Sequence, residues 1–293
     1  MRRLRSLTLL AVAGVACTPE FEQAWLVKDL RILAIRAEPP EVLVPSGTTT
    51  FPAVHVDALV VDPRATADTV FDWKLLVCTA EEPRCELAER QELVRQDSTR
   101  LDQISLDFTL AADFYRAALA ADPLRGFGGV AVMVELQVSR GEDVARGIKR
   151  IVYGNFVPPE KQPNVNPGID RITVDEQPTP QPWAAKLGQK VKLRPSSPAA
   201  DKEKYWAATF TGGKRELDEY LSYSFFVTTG KLSDATTGGK PVPFVTNSKL
   251  TDLSSDWTPA ALAEGIGGAA VWIVVHDDRG GVGWSELRPG LVE

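Results

Sequence analysis

Short runs in which apolar and polar residues alternate recur along most of this chain, each closed by proline, glycine or aspartate. Val54, Val56, Ala58 and Val60 alternate with His55, Asp57 and Leu59 before Asp62-Pro63 ends the run. A period of two puts every second side chain on one face, which predicts a half-buried strand. Further strands are expected from about Leu30 to Pro39-Pro40 and over 71–78, 101–110, 128–138 and 148–156. Residues 111–121 predict a short helix stopped by Asp122-Pro123. The charged stretch 86–99 shows no clear period. A second series of strands is expected over 169–174, 190–193, 221–228, 269–276 and 284–292. Between the two series, residues 157–168 contain Pro158, Pro159, Pro163 and Pro167 and few large apolar side chains. That composition predicts a stiff linker with little to bury. A fragment of residues 168–293 is accordingly expected to fold alone.

The two series read as copies of one another. Arg125-Gly126-Phe127-Gly128-Gly129-Val130-Ala131-Val132-Met133-Val134 aligns without a gap on Glu264-Gly265-Ile266-Gly267-Gly268-Ala269-Ala270-Val271-Trp272-Ile273. The register carries Arg140-Gly141 onto Arg279-Gly280. Ala117-Ala118-Leu119-Ala120 matches Ala260-Ala261-Leu262-Ala263, and the run from Phe71 through Trp73 to Val77 matches that from Leu221 through Tyr223 to Val227. Three matches in one order predict two homologous β-domains. The chain of 293 residues, 44% apolar and 25% charged, has the size and composition for them.

The amino end carries a different signal. Arg2, Arg3 and Arg5 precede an apolar run, with Leu7, Leu9, Leu10, Val12 and Val15, that is too short to span a bilayer and closes at Gly14-Val15-Ala16-Cys17. This layout resembles the lipobox of bacterial lipoproteins, although Gly14 stands where that family prefers Leu. An ordinary secretory signal cut near Ala16 is the alternative. The resemblance implies that residues 1–16 are removed, that Cys17 is acylated (palmitate or a similar chain), and that residues 17–25 form a tether. It implies an outer-membrane anchor, facing the periplasm or the cell surface. Thr18 after the cysteine, where Asp is absent, agrees with outer-membrane sorting.

With Cys17 lipidated, Cys78 and Cys85 remain in a compartment that permits disulfides, and a bridge between them is expected. Two thiols without nearby histidine do not complete a zinc site. Of the 33 basic residues three lie in the signal, so 30 face 39 acidic residues in the rest, a net of −9. No basic cluster is present to hold phosphates, which argues against a nucleic-acid partner.

Many short strands between turn signals, at about 100–140 residues per unit, predict an all-β protein with a sandwich in each half. The aromatic of the third strand (Trp73, Tyr223) and the G-x-G-G-entered penultimate strand with its R-G turn carry the comparison further. In these the chain resembles bacterial envelope lipoproteins with tandem immunoglobulin-like β-sandwich domains, here residues 26–157 and 168–293 joined by the Pro-rich linker 158–167. It departs from them in having no cysteine pair between sheets and in its short helix.

Chemistry-bearing residues are sparse. His55 sits in an alternating strand, as a face residue would. His276 ends an apolar strand before Asp277-Asp278-Arg279-Gly280-Gly281, and no G-x-S-x-G supplies a nucleophile elbow. Asp277 and Asp278 could ligate calcium, but Asp-Arg-Gly-Gly is also good hairpin chemistry. The glycine motifs lead into strands, unlike phosphate loops. Trp73, Trp257, Trp272 and Trp284 read as core, and Trp183 and Trp206 as the better candidates for exposed contact. The expectation is a lipid-anchored binding or structural module, not an enzyme, with no cofactor and no catalytic or metal residues. Its partners would be the membrane, through acyl groups, and an envelope protein or polysaccharide. The alternative is a metal-dependent hydrolase or enzyme subunit using the Asp277–Asp278 loop.

Overall fold

The computed structural model describes residues 23–45, 47–180, 182–241 and 250–293. Cys17 and residues 1–16 lie outside the described residues. The first half contributes strands β1 (Arg31–Glu38), β2 (Glu41–Leu43), β3 (Ala53–Val61), β4 (Phe71–Thr79), β5 (Gln91–Thr99) and β6 (Ser105–Thr109). Helix α1 (Ala112–Ala121) and strands β7 (Val130–Arg140) and β8 (Asp143–Gly154) complete it. One sheet runs β1-β3-β6 and the other β2-β8-β7-β4-β5. Every paired neighbour is antiparallel except β2, which leaves the first sheet at Pro39-Pro40 and joins β8 in parallel. Three strands facing the β4-β7-β8 sheet, which β5 extends, is the immunoglobulin-like arrangement.

The second half repeats it. Its strands are β9 (Arg171–Val174), β10 (Gln177–Pro178), β11 (Ala184–Lys186), β12 (Val191–Ser196), β13 (Lys204–Ala208), β14 (Lys214–Asp218) and β15 (Ser222–Val227). Then follow β16 (Lys231–Leu232), β17 (Thr236–Gly238), β18 (Ser255–Thr258), β19 (Val271–His276), β20 (Val282–Leu287) and β21 (Gly290–Val292). The sheets run β10-β9-β12-β18-β16 and β17-β15-β19-β20. β11 pairs in parallel with β21, as β2 does with β8. The repeated sequences occupy equivalent strands, β4 with β15 and β7 with β19.

Two features go beyond the sequence reading. The alanine run 260–263 is not helical, whereas its counterpart lies in α1. Only a few residues separate Pro259 from Gly265, too few to offset the cost of helix nucleation. Residues 91–99, which lack a clear period, form β5, because an edge strand takes its conformation from ladder bonds to β4 and leaves most side chains in water.

Each sandwich has its own core. Trp73, Phe71, Phe114 and Tyr153 fill the first, and Tyr223, Phe225, Trp257 and Leu193 the second. The strand aromatics end in equivalent bonds: Trp73 Nε1 donates to Thr99 Oγ1 at 2.9 Å, and the Tyr223 hydroxyl to Ser197 Oγ at 2.9 Å. A third apolar layer lies between the sandwiches. Trp272, Val274 and Val282 of the second meet Leu33, Ala34, Leu59 and Val61 of the first, with Val27 and Phe226. Strand β19 is therefore buried on both faces, which explains why Val271-Trp272-Ile273-Val274-Val275 is continuously apolar where β15 alternates.

Candidate functional site

The joint between the sandwiches gathers most of the buried charge of the second half. The turn after β19 begins at Asp277, a residue that is buried. Its Oδ1 accepts the backbone N–H of Arg279 (2.8 Å) and of Gly281 (2.6 Å), the bonds that hold an aspartate-led turn. Its Oδ2 accepts from Asn164 Nδ2 at 3.0 Å. Asp278 Oδ1 accepts the Tyr220 N–H at 3.3 Å. The two aspartates named for the hydrolase alternative thus serve as turn and crosslink. Among the described residues no group of three or more His, Cys, Asp or Glu is arranged to hold a metal ion.

Arg279 projects from that turn into the joint. Its Nη2 donates to Glu41 Oε2 of β2 (2.9 Å) and to the Gln162 carbonyl (3.0 Å), and its Nη1 to Glu203 Oε2 (3.0 Å). Its guanidinium lies 4.6 Å over the Tyr205 ring. Glu41 also takes Lys161 Nζ at 2.7 Å and the Asn164 N–H at 3.1 Å. Glu219 is nearly sealed in the same cluster. Its Oε1 has no hydrogen bond and sits 3.8 Å from Arg279 Nη1. Burial, with Asp277 and Glu203 adding to it and Arg279 opposing, pushes the Glu219 carboxyl up to about 7.

The segment 157–168 is not the sparse linker that its composition predicts. Asn164 is 2% exposed. Asn166 Nδ2 donates to the Ala37 carbonyl and to Glu38 Oε2, both at 2.7 Å, and its Oδ1 accepts the Val282 N–H at 2.9 Å. Two amide side chains, Asn164 as donor and Asn166 as donor and acceptor, do what apolar residues would otherwise do. The chain also lies flat on β20: a Cβ at Gly283 would overlap the Pro167 carbonyl.

Clefts flank the joint. On the β8 side, one of about 340 Å³ holds Lys149 and His276. Lys149 is 6% exposed, donates to the Gly280 carbonyl, and is pushed down to about 8 by burial, against the pull of Asp277. His276 is lowered by burial first and then by Lys149. On the β3 side a groove of about 780 Å³ is lined by His55, Asp57, Trp272, Trp284, Glu286 and Arg288, among others. Arg36 lies 4.6 Å over the Trp284 ring while gripping Asp57 at 3.1 and 2.6 Å. His55 meets Asp107 at 2.9 Å on the open face of the β3–β6 pair, a face residue as its alternation predicts.

Cys78 and Cys85 form a disulfide with Cα atoms 5.2 Å apart, both fully buried. Beneath it Glu135, 1% exposed, accepts the Cys85 N–H at 2.8 Å and Gln137 Nε2 at 2.6 Å. A lone acid inside Val132-Met133-Val134-Glu135-Leu136 was the available sign of this anchor. Trp183, expected to be exposed, is buried edge-on against Trp257 with ring centroids 5.9 Å apart. Trp206 is partly exposed, with Lys214 4.7 Å over its ring.

No protein-family model matches the chain, and no curated protein does. Solved structures it resembles include a red sea bream transglutaminase, at 10% identity and TM-score 0.27, covering 91% of this chain and 32% of that one. Murine CEACAM1b aligns at 11% identity and TM-score 0.22, covering 90% of this chain and 100% of that one. The fibronectin(III)-like modules of Clostridium thermocellum CbhA align at 9% identity and TM-score 0.24, covering 88% and 95%. The chain spans about a third of the transglutaminase. Likenesses this loose carry no argument about activity or partner, and the sandwich architecture is read from the strand order itself.

Proposed function

We propose that the protein is a binding or structural module of the cell envelope, held at the outer membrane by an acyl chain on Cys17. The observation that carries this reading is the joint. Asp277, Arg279, Glu41 and Lys161 are taken up in bonds that tie the two sandwiches together. A fixed pair of sandwiches offers a composite surface that neither has alone. The groove of about 780 Å³ supports that use, since it draws residues from both and mixes an indole face with acidic and basic groups. Planar polar groups beside an aromatic face suit a protein or polysaccharide partner.

The test combines anchor and groove. Cys17→Ser should abolish fatty-acid labelling and release the protein from membranes. Trp284→Ala should lose the partner captured by cross-linking on envelopes while leaving labelling intact. Labelling that persists in Cys17→Ser would end the anchor reading. Reproducible turnover of an ester, peptide or glycoside, lost in His276→Ala, would end the non-enzymatic one.

A further inference from the structure

Glu219 is an ionisable group that the joint encloses with one carboxyl oxygen, Oε1, left without a hydrogen bond. It stands at the base of the β13–β14 hairpin, an excursion between β12 and β15 that reaches across to the first sandwich. At the hairpin tip Phe210 stacks on Phe127 of the first sandwich, with ring centroids 4.5 Å apart, although Phe210 is 80% exposed. Lys214 bonds Glu160 of the linker. The hairpin is thus a clasp between the halves, fastened at its tip by one ring pair and at its base by the cluster around Arg279.

The charges that face Glu219 come from every element packed there. From the turn after β19 come Asp277, Asp278 and Arg279, and from the hairpin base Glu203 and Tyr205. Glu41 of β2 and Lys161 of the linker follow through Arg279, and Lys149 and His276 lie beyond Asp277. Glu41, Glu203, Asp277 and Asp278 already outnumber Arg279, Lys161 and Lys149, the cations of the cluster. An ionised Glu219 would be a fifth carboxylate, sharing Arg279 at 3.8 Å with Glu41 and Glu203 and with no donor on its Oε1.

We propose that Glu219 is a proton-controlled latch: uncharged, it lets the β13–β14 hairpin close on the first sandwich, and ionised, it moves to water and releases the hairpin. Burial of a carboxyl with one oxygen unbonded disfavours the charged form far more than the neutral one. The closed state therefore holds this proton more tightly than the open one. With the carboxyl raised from 4.5 to about 7 in the closed state, opening becomes easier as pH rises between those values and levels off above 7. One proton sets a ceiling of about tenfold in the opening constant per pH unit. Lys149 and His276, both lowered, act with the opposite sign, so a variant neutral at Glu219 alone is needed to separate them.

The experiment is a spin-label distance measurement on the full chain, with nitroxides at Thr211→Cys on the hairpin and Glu142→Cys on the first sandwich, between pH 5 and pH 8. The expected result is a longer-distance population that grows with pH and disappears in Glu219→Gln, which keeps the shape and cannot ionise. A distance distribution unchanged by pH in the parent protein overturns the proposal. So does a response that survives in Glu219→Gln. Should that variant fold poorly, carbon-13 titration of the Glu219 carboxyl in the parent decides: a midpoint near 7 supports the latch, and one near 4.5 overturns it.

Discussion

Arg279 and Glu41 lie 238 positions apart in the chain and 2.9 Å apart in space. Their bond joins the last turn of the second sandwich to the second strand of the first, and both side chains are about nine-tenths withdrawn from water. A buried pair of this kind is worth little against a well-packed apolar replacement, but removing one partner leaves the other charged and unmatched. The first prediction follows from that asymmetry. Arg279→Ala should cost about 3–5 kcal/mol in urea unfolding. It should also lower the cooperativity with which the two halves unfold. A loss below about 1 kcal/mol would show that Lys161, 2.7 Å from Glu41, matches its charge alone.

Lys149 gives the pH dependence its alkaline limb. Its amine is lowered from 10.5 to about 8 by burial, so the unfolded chain binds this proton more tightly than the fold does. Stability should therefore rise as pH climbs from 8 to 10.5, and the full penalty should be present below 8. The shift corresponds to a change on the order of 3 kcal/mol. Lys149→Met should raise the melting temperature at pH 7 and flatten the alkaline rise. A variant that melts lower at pH 7 would mean that the bond to the Gly280 carbonyl outweighs the burial cost.

The disulfide closes a short loop. Cys78→Ser with Cys85→Ser should lose about 2–3 kcal/mol through the freedom returned to the unfolded chain. Amide exchange should quicken first near Cys85, whose N–H is held by Glu135. The purified protein should show no free thiol at either position by mass mapping.

Two glycines of the second half make a paired test. Gly283→Ala drives a methyl into the Pro167 carbonyl, whereas Gly268 has open space around the same position. Overpacking of that kind costs about 1–3 kcal/mol. Gly283→Ala should therefore melt clearly below the parent and Gly268→Ala close to it. Equal effects would mean that segment 157–168 can shift off β20 at no cost.

The strands were legible because alternation is local: β3 and β15 carry their period within six to nine residues. The sandwich followed, since repeated strands with turns between them leave few other ways to bury one face. The joint was not legible, because its partners are scattered. Glu41 reads as the start of a loop, Asn164 as linker, Glu219 as one acid among several, and Arg279 as a turn residue. Nothing in their neighbours' periodicity announces that they converge. Trp183 misled for a related reason, since its polar sequence surroundings say nothing of Trp257 above it. One sign of it does stand in the sequence. The unbroken apolar run of β19 marks a strand covered on both faces, and a lone sandwich with a wet outer sheet has no need of one.

The first described residues have a mechanical meaning. Val27 donates to the Val227 carbonyl at 2.8 Å, the Val227 N–H returns a bond to Trp25 at 2.9 Å, and Trp25 and Leu26 pack on the second core. The chain thus touches the far sandwich before it builds the near one. Tension applied at the amino end would enter the molecule through β15, strain the second sandwich first, and reach the first only after these two bonds had parted.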